Sequence, residues 1–208
     1  MVTATREKPV SQRFKVDVPA GRSGDWQVQR FTMEKSIQVY RLEMVARAPV
    51  IGETYTQLIR DKSWGPMMSD TPAEIRDLAP ARFAFKKPWV SHVLINGLGL
   101  GVALKMALEQ PHIEHIDVVE IEPDIIKLVA PSYPDPRVHI HEADAYTIEW
   151  PKNYGWSVAW HDIWPDICAD NLEGMGKLHR KYGKRVQWQG SWQRENLKAR
   201  KRREGRYW

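Results

Sequence analysis

The nine residues Val93-Leu94-Ile95-Asn96-Gly97-Leu98-Gly99-Leu100-Gly101 constrain this chain more than any other stretch. An apolar, β-branched run passes into three glycines at alternate positions, and residues 102–109 continue with strong helix formers. A run of that length and composition reads as a strand buried on both faces of a parallel sheet. Glycine lets the backbone turn tightly and approach a bound group where a Cβ would collide. The helix that follows points its first unpaired N–H groups at the same place. Strand, glycine turn and helix together predict a ligand site at the carboxyl end of a parallel strand.

The alternation continues downstream. Residues 116–121, 137–141, 156–160 and 185–189 read as strands, with helices over residues 124–130 and 170–181. A last helix, capped by Ser191, is expected to run to about residue 203. Strands alternating with helices imply a parallel sheet with right-handed crossovers. Upstream the pattern differs. Residues 26–32 and 54–60 read as strands, residues 61–63 as a turn and residues 64–68 as the returning strand of a hairpin. Residues 37–47 fit a helix or a strand equally well. Thr71-Pro72-Ala73-Glu74 signals a helix start: Thr71 caps, Pro72 suits the first helical position, and Glu74 closes a capping box. Residues 69–72 are also placed to act as a lid over the glycine turn. Residues 1–24, punctuated by Pro9, Pro19, Gly21 and Gly24, read as a loosely held lead-in. The expected fold class is α/β: a Rossmann-like doubly wound sheet that ends after its fifth strand. A small β-rich extension and lid (residues 1–87) precedes the sheet domain (residues 88–190), and a basic helix and tail (residues 191–208) follow.

No apolar run approaches the ~20 residues that cross a membrane, and residues 1–15 lack the apolar core of a secretory signal. The lone Cys168 excludes an internal disulfide and a multi-cysteine zinc site. A cytoplasmic protein without a structural metal is expected. The charge is uneven: residues 177–208 hold twelve Lys/Arg and two Glu, a net of +10, while the whole chain is only +5. The run Lys198, Arg200, Lys201, Arg202, Arg203 suits nucleic-acid phosphates, and Trp192, Tyr207 and Trp208 suit stacking on bases. The same run could instead serve its helix dipole or dock on the acidic body of a second copy in a homodimer.

Ligands of open parallel sheets bind beyond the carboxyl ends of the strands. Glu120 ends the second of these strands, 19 residues after Gly101; Asp144 follows the third, and His161-Asp162 the fourth. The glycines are spaced G-x-G-x-G, with Val102 where a dinucleotide fingerprint has its third glycine, and no lysine cradles a phosphate. An acidic edge with few cations suits a nucleoside that carries a positive sulfonium better than a pyrophosphate. His161 and Asp162 are the candidates for proton transfer, beside Trp160, Trp164 and Pro165, which suit an acceptor pocket or a cation–π surface.

These residues carry a resemblance. Residues 93–101, followed by Val118-Val119-Glu120-Ile121-Glu122-Pro123-Asp124, resemble class I S-adenosylmethionine-dependent methyltransferases. Asp135-Pro136-Arg137-Val138, Asp144-Ala145 and Val186-Gln187-Trp188-Gln189-Gly190-Ser191 are similar to the spermidine synthase-like branch. The likeness covers about residues 88–195, and the whole chain is similar to methyltransferase-like proteins of phages and actinobacteria. It implies S-adenosylmethionine, or its decarboxylated form, as cofactor. Asn96, Gly97, Leu98, Gly99 and Gly101 would hold the methionine portion, Glu120 with Ile121 the ribose, and Asp144 with Ala145 the adenine. Residues 54–77 and 163–172 would supply acceptor contacts for a small-molecule substrate. Polyamine synthases carry an Asp where this chain has Leu100, and an Asp-x-x-Asp-Pro pattern where it has His161 and Trp164 before Pro165. A methyltransferase is therefore expected ahead of an aminopropyltransferase, or of a non-catalytic module binding a nucleoside or nucleic acid.

Overall fold

The computed structural model describes residues 9–35, 49–61 and 65–204, so the expectations for residues 37–47 and 62–64 lie outside it. The first sheet is antiparallel, with β1 (Gly21–Ser23), β2 (Trp26–Thr32), β3 (Thr54–Arg60) and β4 (Met68–Ser69) side by side in that order. β2 and β3 match the sequence reading residue for residue. The returning strand is shorter and lies later than the expected 64–68: β4 pairs with β3 only at Gln57↔Ser69 and Leu58↔Met68. Pro66, just ahead of it, has no N–H to extend the ladder.

The described part of the lead-in, residues 9–24, is not loose. After a short helix α1 (Val10–Arg13), the alternating residues Phe14, Val16 and Val18 are buried in the main core. That period-2 pattern was hidden among prolines and glycines. Asp70 fastens this segment to the sheet: its buried carboxylate accepts the N–H of Thr56 (2.7 Å) and of Val16 (3.0 Å). Two short helices follow, α2 (Pro72–Asp77) and α3 (Ala79–Phe85). Pro72 takes the expected first-turn position, but the capping box does not form. Glu74 reaches further back instead, accepting the N–H and the hydroxyl of Ser69 at 2.6 and 2.9 Å.

The second sheet is wholly parallel. It is built from β5 (His92–Asn96), β6 (His115–Glu120), β7 (Val138–Glu142), β8 (Trp156–His161) and β9 (Val186–Ser191), in the order β7-β6-β5-β8-β9. This is the expected Rossmann-like order, and its direction reverses beside β5, where ligands of such sheets bind. Helices α4 (Val102–Leu108) and α5 (Pro123–Val129) cover one face, where Met106, Ile125 and Val129 join Val93, Ile95 and Val158 in the main core. Helix α6 (Asn171–Tyr182) covers the other, bringing Leu178 and Tyr182 against Leu94, Val119 and Ala159.

The crossover from β7 to β8 is a loop with aromatic side chains rather than a helix. Asp117, 1% exposed, holds it down: its carboxylate accepts the indole N–H of Trp156 (2.7 Å) and the hydroxyl of Tyr154 (2.9 Å), and lies 2.7 Å from Nε2 of His141. Burial alone would raise this carboxyl, but the Trp156, His141 and Tyr154 contacts outweigh it and keep it below its usual range. The last helix, α7 (Arg194–Glu204), is not capped by Ser191, which ends β9 with its hydroxyl 2.9 Å from Nε2 of His179. Gln193, at φ 58°, turns the chain into α7 instead. Among the described residues no helix is long and apolar enough to cross a membrane.

Candidate functional site

The glycine turn has the backbone its composition demands. Gly97, Gly99 and Gly101 lie at φ 98°, 49° and 78°. A Cβ on Gly97 would strike the carbonyl of Asp162, one on Gly99 the thioether of Met68, and one on Gly101 the ring of Tyr133. The turn is thus gripped from three sides. The Leu100 N–H faces the Met68 sulfur at 3.0 Å, and the Tyr133 hydroxyl donates to the Leu100 carbonyl at 2.8 Å. The Leu100 side chain is fully buried, so the position that holds an Asp in polyamine synthases faces the core.

Strand register brings the expected polar residues to one edge. Asn96 pairs with Val119 on one side and His161 on the other, and Glu120 pairs with Glu142, so Gly97, Ile121, Ala143 and Asp162 leave the sheet together. They surround a cavity of about 630 Å³ whose wall includes Gly97, Leu98, Gly99, Glu120, Ile121, Asp144, Ala145 and Asp162. Glu120 is held rigidly, accepting the N–H of Leu98 (2.8 Å) on one oxygen and of Glu122 (3.0 Å) on the other. Each carboxylate oxygen has two lone pairs, so one on each is left for a ligand. Asp144 accepts the N–H of Tyr146 at 2.8 Å, which fixes the turn after β7.

His161 and Asp162 do not work as a pair. Successive strand residues point to opposite faces. Asp162 faces the cavity, while His161 turns to the other side, fully buried, between Asn96 Nδ2 (2.7 Å from its Nδ1) and Gln189 Oε1 (3.2 Å from its Nε2). Burial pushes its pKa down to about 3. Asn96, expected on the ligand, is likewise absent from the cavity wall and fully buried beside His161. Gly101 lies behind the wall, against Tyr133. Asp162 is changed in the opposite sense: burial, reinforced by the Glu74 and Asp77 carboxylates, pushes its pKa up to about 7.

The far wall comes from the first sheet and from the segment after β8. Leu58, Arg60, Met67, Met68, Ser69 and Glu74 face Ile163, Trp164, Pro165, Asp166 and Ile167 across the cavity. These fall within the two segments expected to meet an acceptor. Met68, Tyr146 and Trp192 also line the cavity and were not singled out for it. For Met68 and Tyr146 no motif marks them; only the closeness of β4 to the glycine turn reveals the first. Arg60 is the one cation on the described wall, stacked 5.3 Å over Trp26 with its guanidinium 3.8 Å from Glu122.

The site has what a sulfonium nucleoside needs: a backbone cradle closed to any Cβ, acceptors at the ends of β6 and β7, and room within the ~300–1,000 Å³ typical of such pockets. No protein-family model matches the chain, and no curated protein matches it either. Solved structures do. An S-adenosylmethionine-dependent methyltransferase from Mesorhizobium loti aligns at 14% identity over 49% of this chain and 48% of its own, with a TM-score of 0.36. The N-methyltransferase NodS from Bradyrhizobium japonicum WM9 aligns at 13% identity over 54% and 61%, TM-score 0.43. The CcbJ methyltransferase from Streptomyces caelestis aligns at 16% over 54% and 44%, TM-score 0.41. The chain therefore spans 44% to 61% of the length of these three structures.

Proposed function

We propose that this chain is an S-adenosylmethionine-dependent methyltransferase. The observation that carries the reading is the convergence of the glycine turn, Glu120, Asp144 and Asp162 on one cavity at the switch point of the parallel sheet. The cofactor, when bound, supplies a methyl group on a positive sulfur. The chain's own residues do the rest. The backbone of residues 97–99 takes the methionine portion, Glu120 the ribose hydroxyls and Asp144 the adenine amino group. Asp162 takes the proton that the acceptor loses as it attacks. A carboxylate with a pKa near 7 is suited to that task, since a base works best when its pKa lies close to the working pH. The spermidine synthase-like ancestry belongs to this reading. The buried Leu100 favours methyl over aminopropyl transfer, because at that position the turn offers no carboxylate to a cationic amine.

Calorimetry with S-adenosylmethionine, its decarboxylated form and S-adenosylhomocysteine tests the proposal. The first and third should bind more tightly than the second, and absence of binding by all three would overturn it. Glu120→Ala should weaken S-adenosylhomocysteine binding by about 1.5–3 kcal/mol, the worth of a hydrogen bond to a charged group.

A further inference from the structure

The backbone N–H groups of the glycine turn are not equally well satisfied. Gly97 donates to the Val119 carbonyl and Gly101 to the Leu98 carbonyl, both at 2.8 Å, and Leu98 donates to the Glu120 carboxylate at 2.8 Å. The Leu100 N–H meets sulfur instead, the Sδ of Met68 at 3.0 Å. A thioether is a weak acceptor, so a buried N–H held by one keeps most of its appetite for oxygen. The same sulfur fills the space beside the Gly99 Cα, where a Cβ would strike it. Met68 lines the cavity together with Gly97, Leu98 and Gly99, whereas Leu100 is fully buried and forms no part of the wall. The Met68 side chain therefore stands between the cavity and the Leu100 N–H.

Its mount is fixed and its tip is not. The Met67 N–H donates to the Leu58 carbonyl (2.8 Å), the Asp70 N–H to the Thr56 carbonyl (3.0 Å), and Ser69 is held by the Glu74 carboxylate. The backbone is thus pinned on both sides of residue 68. The side chain is half-buried, unbranched and turns about three bonds, so it repacks at little cost. A carboxylate on the Leu100 N–H would make a charge-assisted hydrogen bond, roughly twice as strong as a neutral one. Sulfur loses that competition.

We infer that Met68 is a gate on the subsite for the amino-acid end of the cofactor: its thioether holds the Leu100 N–H in the free protein and yields it to the ligand's carboxylate. The inference rests on the methyltransferase reading. The free protein is then the closed form of a two-state side chain, and the closed fraction lowers the apparent affinity for any ligand that needs the gate open. A nucleoside that carries no carboxylate leaves the gate shut and is indifferent to it. Opening also moves Met68 on the wall it shares with Met67, Ser69 and Glu74, so the acceptor side takes its working shape only once the cofactor is in place.

The test is calorimetry on the full chain with two ligands, S-adenosylhomocysteine and 5′-methylthioadenosine, which shares its nucleoside and sulfur but lacks the amino-acid end. Met68→Ala should bind S-adenosylhomocysteine about 3- to 10-fold more tightly than the parent, the fold-change that freeing one weak hydrogen bond allows, and 5′-methylthioadenosine with unchanged affinity. Met68→Leu keeps the bulk without the acceptor and should fall between parent and alanine variant. Circular dichroism establishes that each variant is folded. The parent gives a reading that needs no variant to be stable: in NMR with labelled methionine methyls, the Met68 signal and the Leu100 amide should shift with S-adenosylhomocysteine and stay in place with 5′-methylthioadenosine. Unchanged or weaker S-adenosylhomocysteine binding by Met68→Ala, an equal gain for both ligands, or a Met68 signal indifferent to saturating S-adenosylhomocysteine would each overturn the gate while leaving the cofactor reading standing. Binding of S-adenosylhomocysteine by Met68→Ala where the parent shows none would support it most strongly. If neither ligand binds parent or variant, the cofactor reading falls and the gate with it.

Discussion

At the scale of single residues, two neighbours meet opposite fates. His161 and Asp162 are adjacent in sequence, and both carry groups that move protons. The strand separates them: one is sealed among Asn96, Gln189 and Tyr182, the other looks into the cavity. Nothing in a single sequence says which parity faces the ligand, since β8 is buried on both faces throughout its length. On the proposed methyltransferase reading, the rate depends on one carboxylate. With Asp162 near 7, kcat/KM should rise as pH passes upward through about 7 and then level off. Asp162→Asn should lower kcat by about 100-fold or more and flatten that profile, while His161→Gln should leave its midpoint in place. A midpoint unmoved in Asp162→Asn would place the base elsewhere.

At the scale of elements, the strand–turn–helix unit was legible almost to the residue, and the side chains that grip it were not. An apolar run, three glycines and a helix former have only one economical geometry. Met68 and Tyr133 grip that turn from positions 32 and 33 residues away from their partner Leu100, a separation at which no local pattern operates. The capping box at Thr71 failed for a related reason: Ser69, on a paired strand, offers Glu74 two donors where the cap offers one. The turn is also the most substitution-sensitive element. Gly97→Ala must place a Cβ against the Asp162 carbonyl at φ 98°, and should destabilise the protein by ~2–4 kcal/mol while abolishing S-adenosylhomocysteine binding, as read by urea melts and calorimetry. A fully stable, ligand-binding alanine variant would show that the turn is not held this way.

At the scale of the whole molecule, the parallel sheet followed from the alternation of strands and helices. The burial of Phe14, Val16 and Val18 did not, because their apolar alternation is only five residues long and flanked by turn formers. The buried ionisable groups also act at this scale. His161 and His179, lowered to about 3 and 4 by burial, are neutral when folded below pH 6.5 and must charge on unfolding, so each removes stability as pH falls through that range. Asp162 works against them. Its folded pKa is raised, so its cost is full above about 7 and vanishes toward pH 4. Asp162→Asn should therefore gain ~4 kcal/mol at pH 8, gain almost nothing at pH 4, and lose stability more steeply than the parent chain as pH falls between those limits. Denaturant midpoints across pH measure all three.

The cavity has two owners. The parallel sheet builds the wall with the glycine turn, Glu120 and Asp144, and the antiparallel sheet with the segment after β8 builds the wall opposite. One core joins them: Trp26, Val28 and Leu58 of the first sheet pack in the same cluster as Val93, Ile95 and Val158 of the second, and Ser23 bonds Asp124 at 2.6 Å. A substitution in residues 54–78 is therefore felt on both walls at once, because Leu58 and Ile75 belong to the shared core and Met68 touches the glycine turn itself.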